Sequence, residues 1–304
     1  MAENEEPFRR GMVVMAHPDD AEWSCAGTVA KWCAEGWEVV FVLCTDGSKG
    51  SSDPEMTSEK LVKIREEEQR NSGMVLGLKD VVFLGYPDSY LEPTLELRKD
   101  IVREIRRYQP DVVVVGSPAR DTERGYYVSH PDHLAAGEAA LSAIFPAARD
   151  RLTFPELLEE GLEPHKVREV WVADGGDNSD NFVDVEPFLD AAINALKCHK
   201  SQVDQEHAGD WFRQGRISTG KKVGMAYAEG FKRIPFGKGP SDNPAWNVGK
   251  GRFLTCPFSL PEPLSKLIGI PENAVPGTPE QAQKSPTSTK AGWKPTPTES
   301  GIRK

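Results

Sequence analysis

A chain of 304 residues that is 38% hydrophobic can bury one substantial core with a small appended lobe. Its net charge of −10 is spread along the chain, which argues against non-specific attraction to nucleic acid or to an anionic membrane surface. The five cysteines (positions 25, 33, 44, 198 and 256) form no CxxC pair, a pattern of reduced cytoplasmic thiols and not of a disulfide framework.

Residues 1–10 are polar and expected to be loose, with no apolar region of the kind a signal peptide carries. No apolar run approaches the roughly 20 residues that span a bilayer, so no transmembrane segment is expected. Residues 12–16 are an apolar strand that ends in His17-Pro18-Asp19-Asp20, and Pro18 forbids the strand from continuing through a sheet. Residues 21–35 read as a helix with Cys25, Val29, Trp32 and Cys33 on one face and Gly36 as its stop. In an open α/β sheet such a strand–helix turn lies where ligands bind. A dinucleotide-binding turn would be glycine-rich there; an imidazole and two carboxylates point to metal chemistry instead. A single Asp would suit a helix cap. A His and two Asp within four residues ask for more.

Residues 37–44 form a second strand, too apolar for a wet face. The loop Thr45-Asp46-Gly47-Ser48-Lys49-Gly50 then faces the same sheet edge as His17, as a pocket wall. A long helix over 57–78 carries an apolar stripe of Leu61, Ile64, Val75 and Leu78, and Arg65, Glu68 and Ser72 fall on that same stripe. Polar groups facing inward need partners. Either Arg65 and Glu68 pair on a half-covered face, or Arg65 reaches into the site beneath a metal. A third strand at 80–84 delivers Asp88, an amphipathic helix occupies 95–108, and a valine-rich fourth strand spans 111–116. This βαβαβαβ alternation predicts an α/β fold: a Rossmann-like, doubly wound, mostly parallel sheet.

The polar loop 117–129, with Arg120, Asp121, Arg124, Tyr126 and Tyr127, is long enough to be functional. It ends in His130-Pro131-Asp132-His133, which opens a helix over 134–145 with Pro131 in its first turn. A second His-Pro-Asp turn thus follows a buried strand. Beyond it, a fifth strand is expected at 167–173, a short one at 182–185, and helices at 186–201 and 220–234. The organisation expected is a flexible start at 1–10, a catalytic domain at 11–235, a small extension at 236–275 packed on it, and a tail at 276–304. That tail, rich in Pro, Thr, Ser, Lys and Gln around a lone Trp293, is expected to be disordered.

His17 and Asp20 can face one point if the turn bends into a helix, and His133 from another strand completes a His/Asp/His set. Three N/O donors and an open position suit a catalytic zinc ion, with Fe2+, Co or Mn also accepted. Such an ion lowers the pKa of a bound water toward neutrality. Asp19, adjacent but uncommitted, is then the general base. His130 as imidazolium would stabilise an oxyanion or protonate a leaving amine, with Asp132 orienting it.

Ala16-His17-Pro18-Asp19-Asp20 together with His130-Pro131-Asp132-His133 resembles the PIG-L/LmbE-type metal-dependent de-N-acetylases. That family includes deacetylases of N-acetylglucosaminyl-phosphatidylinositol and deacetylases and amidases of mycothiol and bacillithiol metabolism. The likeness extends over roughly residues 11–235, through Thr45-Asp46-Gly47, Arg65 with Glu68, Leu84-Gly85-Tyr86-Pro87-Asp88, His199-Lys200-Ser201-Gln202 and Tyr227-Ala228-Glu229. The resemblance implies His17, Asp20 and His133 as metal ligands and Asp19 as base. It also implies His130 as the partner of the tetrahedral intermediate, with Arg65 and Asp88 near the substrate. Several members carry a Tyr two residues before the second motif, where this chain has Val128, with Tyr127 one step away.

The function so implied is a cytoplasmic zinc-dependent hydrolase that removes an N-acetyl group from a small amino-sugar conjugate, with a homo-oligomer compatible. An amidase cleaving a larger thiol-conjugate amide would need the same residues. A non-catalytic sugar- or nucleotide-binding module is the reading from another class, and the intact His17, Asp19, Asp20, His130 and His133 argue against it.

Overall fold

The computed structural model describes residues 7–122, 128–173 and 178–236. The expectations for residues 1–6, for Arg124, Tyr126 and Tyr127, for the extension beyond Phe236 and for the tail with Trp293 lie outside the described residues. Residues 7–10 are not loose. The Phe8 ring sits edge-on to Trp37, and the backbone N–H groups of Arg9 and Arg10 both donate to the Asp111 carboxylate.

Seven described strands form one sheet in the order β3-β2-β1-β4-β5-β7-β6. They are β1 (Arg10–Met15), β2 (Glu38–Thr45), β3 (Asp80–Tyr86), β4 (Val112–Gly116), β5 (Glu169–Ala173), β6 (Asn181–Asp184) and β7 (Ala228–Pro235). The first five in spatial order run parallel, and β7 joins β5 and β6 in antiparallel pairs. The valine-rich strands are central because both of their faces are covered. Met12, Val14, Val42 and Val115 pack on one side, against α3 (Leu95–Tyr108) and α4 (Pro131–Ser142). Val13, Phe41 and Val114 pack on the other, against α1 (Asp20–Ala34), α6 (Leu189–Leu196) and α7 (Ala208–Lys221). Apolar residues on both sides leave no wet alternation to read, the pattern of a buried parallel sheet. A long helix α2 (Ser58–Leu76) and a single turn α5 (Glu156–Glu159) complete the set.

Two expectations are corrected. Residues 220–234 are not a helix: α7 ends at Lys221, and Ala228–Pro235 is the antiparallel strand β7. The buried carboxylate of Glu229 fixes that strand, accepting the N–H groups of Gly27 and Thr28 and an ion pair from Arg216. The inward face of α2 is also not an apolar stripe. Val75 is exposed, while Arg65, Glu68, Gln69 and Ser72 are buried.

The sheet order reverses at β1, which lies between β2 and β4. The carboxyl ends of these strands therefore open the crevice at which open α/β sheets place their ligands. Helix α4 reaches this crevice because residue 137 lacks a side chain. A Cβ there would sit 2.6 Å from the backbone oxygen of Gly116 at the end of β4. No helix among the described residues is long and apolar enough to cross a membrane.

Candidate metal centre

At the end of β1 the chain leaves the sheet at His17 and enters α1 through Asp19, whose φ of 95° and ψ of −24° are left-handed. Asp19 occupies the N-cap position, yet its side chain makes no capping hydrogen bond. The simple capping role is thereby excluded for Asp19. One residue on, the Asp20 carboxylate turns back and accepts the His17 backbone N–H at 2.8 Å. From the far side of the crevice, Pro131 starts α4 and carries His133 on its first turn.

Two imidazole nitrogens and both oxygens of one carboxylate converge. His17 Nδ1 lies 3.3 Å from Asp20 Oδ2 and 3.2 Å from His133 Nε2, and His133 Nε2 lies 3.2 Å from Asp20 Oδ1. Donors about 2.0–2.1 Å from a tetrahedral ion stand roughly 3.3–3.4 Å apart, and each leg of this triangle of side chains is close to that length, the two imidazoles meeting different oxygens of Asp20. The His130 ring also approaches, and its nitrogens share a small volume with those of His17 and His133. His17 divides its two nitrogens. Nδ1 faces the triangle, while Nε2 lies 3.2 Å from Asp132 Oδ2 and 3.2 Å from Asp88 Oδ1. A carboxylate behind a ligating imidazole fixes the tautomer that leaves the front nitrogen's lone pair free.

That arrangement reassigns Asp132. The sequence suggests that it orients His130, but its Oδ1 is 3.9 Å from His130 Nδ1. Its carboxylate is spent on His17 and on the backbone N–H groups of Ser89 and Leu91. His130 Nδ1 instead accepts the backbone N–H of Asp132 at 3.2 Å, as the N-cap of α4. A neutral His130 therefore carries its proton on Nε2 and remains a donor. Asp88, only 4% exposed, is likewise held by His17 and by the Lys49 N–H. Arg65 does not pair with Glu68. Its guanidinium donates to Gly47 O and Pro18 O and lies 3.5 Å from Asp19 Oδ2, while Glu68 accepts both the N–H and the hydroxyl of Ser201. Gly47, at φ 64°, lets that guanidinium lie flat against the loop, since a Cβ there would meet it at 2.8 Å.

The charges of these groups act strongly on one another. Burial opposes charging of His17, yet Asp132, Asp20 and Asp88 around its ring push its pKa up to about 12. His133 is raised for the same reason, burial being outweighed by Asp20. Burial also acts on Asp20, but His133 and His17 hold its carboxyl well below the usual range. Its neighbour moves the other way: burial, and then the charge of Asp20, raise Asp19 to about 7 against the pull of Arg65. Burial and the nearby His17 lower His130. A cavity of about 200 Å³ opens over these groups, lined by His17, Asp19, Lys49, Asp88, Ser89 and His130. Lys49 stands at its wall, on the loop that the sequence reads as a pocket wall, whereas the buried Gln69 beneath it was not anticipated as part of the site. Gln69 was detectable, since it stands one turn from Arg65 on the same inward stripe.

Residues 12–144 match the family model described as "PIG-L: GlcNAc-PI de-N-acetylase". The chain is 32% identical over 236 residues to the diacetylchitobiose deacetylase of Thermococcus kodakarensis, covering 76% of this chain and 86% of that protein. It is 28% identical over 262 residues to the mycothiol S-conjugate amidase of Streptomyces coelicolor, covering 67% of this chain and 85% of that protein. The crystal structure of N,N'-diacetylchitobiose deacetylase from Pyrococcus horikoshii superposes with a TM-score of 0.69 at 28% identity, over 75% of this chain and 84% of that one.

Proposed function

The chain belongs to the PIG-L de-N-acetylase family, and on that footing we propose that it is a divalent-metal hydrolase removing the N-acetyl group of a small amino-sugar substrate. One observation carries the reading. The nitrogens of His17 and His133 and the carboxylate of Asp20 form a 3.2–3.3 Å triangle, beside the carboxylate of Asp19, which caps nothing. His17, Asp20 and His133 would hold the ion, with zinc favoured by the donor set and Fe2+ also compatible. When bound, the ion supplies Lewis acidity toward the amide carbonyl and acidifies a water.

The remaining work falls to the protein's own groups. Asp19, raised toward neutrality, takes the proton of the attacking water and returns it to the departing amine nitrogen. His130, neutral and protonated on Nε2, donates to the oxygen that gains charge in the tetrahedral intermediate. This replaces the imidazolium role expected from sequence. Asp132 and Asp88 hold His17 from behind, and Arg65 fixes the Gly47 and Pro18 carbonyls while facing Asp19. A cavity of about 200 Å³ accommodates an acetamido group and the edge of a sugar ring, so the rest of the substrate extends outward. Similarity to deacetylases of N-acetylglucosamine compounds supports the amino sugar as that ring.

The test is incubation of zinc-loaded protein with N,N'-diacetylchitobiose, N-acetylglucosaminyl-inositol and a mycothiol S-conjugate, measuring free amine and released acid. Acetate and amine in equal amounts from either acetylated sugar, abolished by a chelator, are the expected result. Cleavage of the S-conjugate alone would replace the deacetylase by the amidase reading. Absence of hydrolysis with metal bound would refute both.

A further inference from the structure

Helix α2 turns a polar face inward where a core helix would be apolar, and one of those side chains has no place in the chemistry above. Gln69 is fully buried. Its Oε1 accepts the backbone N–H of Asp19 at 3.1 Å, and its Nε2 donates to Glu22 Oε1 at 2.7 Å. Ser72, one turn nearer the end of α2, donates to the same Glu22 oxygen at 2.6 Å. The other Glu22 oxygen faces His199 Nε2 at 3.4 Å, and Glu22 and His199 are both 0% exposed. The carboxylate on one side and the N–H on the other leave the Gln69 amide a single orientation. Flipping it would set donor against donor at Asp19 and acceptor against acceptor at Glu22.

The other end of the same peptide unit is also held. Arg65, four residues before Gln69 on α2, donates Nη2 to Pro18 O at 2.5 Å. The C=O and the N–H of the Pro18–Asp19 peptide are thus gripped by two successive turns of one helix. Rotation about the Asp19 N–Cα bond separates its φ of 95° from ordinary right-handed values. A left-handed conformation is disfavoured for a residue with a Cβ and persists only where the surroundings impose it.

We propose that Gln69, keyed by Glu22, is a positioning residue that clamps the Pro18–Asp19 peptide and so aims the Asp19 carboxylate at the reacting atoms. The inference rests on the reading of Asp19 as the base. It adds a residue that touches neither metal ligand nor substrate. Arg65 is a poor probe because it also faces Asp19, whereas Gln69 reaches the site only through the backbone.

The experiment compares wild-type zinc-loaded protein with Gln69→Met, which preserves length and removes both hydrogen bonds. Hydrogen exchange of the Asp19 amide, followed by mass spectrometry on peptides spanning residues 17–23, should quicken by at least about tenfold while zinc stoichiometry stays at the wild-type value. With N,N'-diacetylchitobiose as substrate, kcat should fall by about 10- to 100-fold with KM little changed, the loss expected of a misaimed group. In an Asp19→Asn background, Gln69→Met should cost nothing further, because its effect passes through the carboxylate already removed. The exchange Gln69→Glu/Glu22→Gln restores an acceptor for the Asp19 N–H and a donor–acceptor pair behind it, and should recover part of the protection and of kcat. It is also the variant to use if Gln69→Met does not fold.

Unchanged exchange at Asp19 in Gln69→Met would overturn the clamp whatever the activity. An undiminished loss in the Asp19→Asn background would show that Gln69 acts elsewhere and would overturn it too. Should Asp19→Asn alone retain full turnover, the base assignment fails, and the exchange data still decide whether the clamp exists.

Discussion

Replacing Asp132 by Asn distinguishes two roles for a fully buried carboxylate. Its Oδ2 lies 3.2 Å from His17 Nε2 and accepts the Ser89 N–H at 2.7 Å, and its Oδ1 accepts the Leu91 N–H at 3.3 Å. An asparagine has one oxygen for these donors. If that oxygen stays with His17 and Ser89, the new NH2 opposes the Leu91 N–H. If it turns to Leu91, the NH2 opposes both Ser89 and His17, and His17 is driven toward the tautomer that protonates Nδ1 and removes the lone pair facing the metal. Either orientation leaves a buried donor unpaired, worth about 1–3 kcal/mol of stability. Asp88 Oδ1 remains 3.2 Å from His17 Nε2, so the imidazole is not abandoned. The expected outcome is therefore a partial loss, zinc affinity falling about 10- to 100-fold, or about 1.4–2.7 kcal/mol. Competition with a chromophoric chelator at fixed pH measures it. Wild-type zinc affinity with a large loss of kcat would refute the argument and return Asp132 to His130.

The other expectations concern the base, the ligands and the packing. Asp19→Asn should bind zinc normally and lose about 10²–10⁴-fold in kcat, and near-normal turnover with metal bound would dismiss Asp19 as base. In the metal-free protein a pKa pushed up to about 12 leaves His17 protonated at pH 7, Asp20 raises His133 as well, and coordination needs both lone pairs. Zinc binding should then release at least one proton and tighten as pH rises from 6 to 8, visible by calorimetry in buffers of different ionisation enthalpy; a buffer-independent heat would contradict this. Gly137→Ala should lower stability by about 1–3 kcal/mol in a denaturant melt, because its Cβ meets the Gly116 oxygen at 2.6 Å and backbone cannot rotate away. No change in the denaturation midpoint would mean that α4 does not sit where described.

How much of this was legible in the sequence depended on whether a feature was local. β1, β2 and β4 are continuous apolar runs, and helix 95–108 is amphipathic and followed by Pro110, so both kinds of element could be read from neighbours in the chain. The two His-Pro-Asp turns were legible as a candidate donor set, and the strand order brings their side chains together. The misreading at 220–234 has a physical cause. Helix α7 carries Gly209, Gly215 and Gly220, which lower its intrinsic helix propensity, and it is held by packing of Phe212 and Arg216. Strand β7 carries Ala228, Glu229 and Lys232, poor strand formers that pairing with β6 and β5 overrides. The partners of Asp132, Glu68 and Gln69 were hidden for another reason. Each lies on an element remote in sequence, and periodicity reports which face a residue occupies but not which group it meets there.

On the proposed reading, one motif supplies both a ligand, Asp20, and a base, Asp19. They share a peptide bond and the same burial, and burial alone would raise both. What separates them is direction. Asp20 has helical backbone and points its carboxylate at two imidazoles, which hold it ionised as a ligand must be. Asp19 is left-handed and points away, toward Arg65, feeling the charge of Asp20 as repulsion, and its pKa rises to about 7. A metal ion in the triangle would pull Asp19 back down, into the range where it is ionised at neutral pH yet still accepts a proton in the transition state. Environments that push two neighbouring carboxyls apart are how one fold assigns distinct roles to the same side chain. Here the divergence is set by the backbone, so it depends on whatever holds residue 19 left-handed.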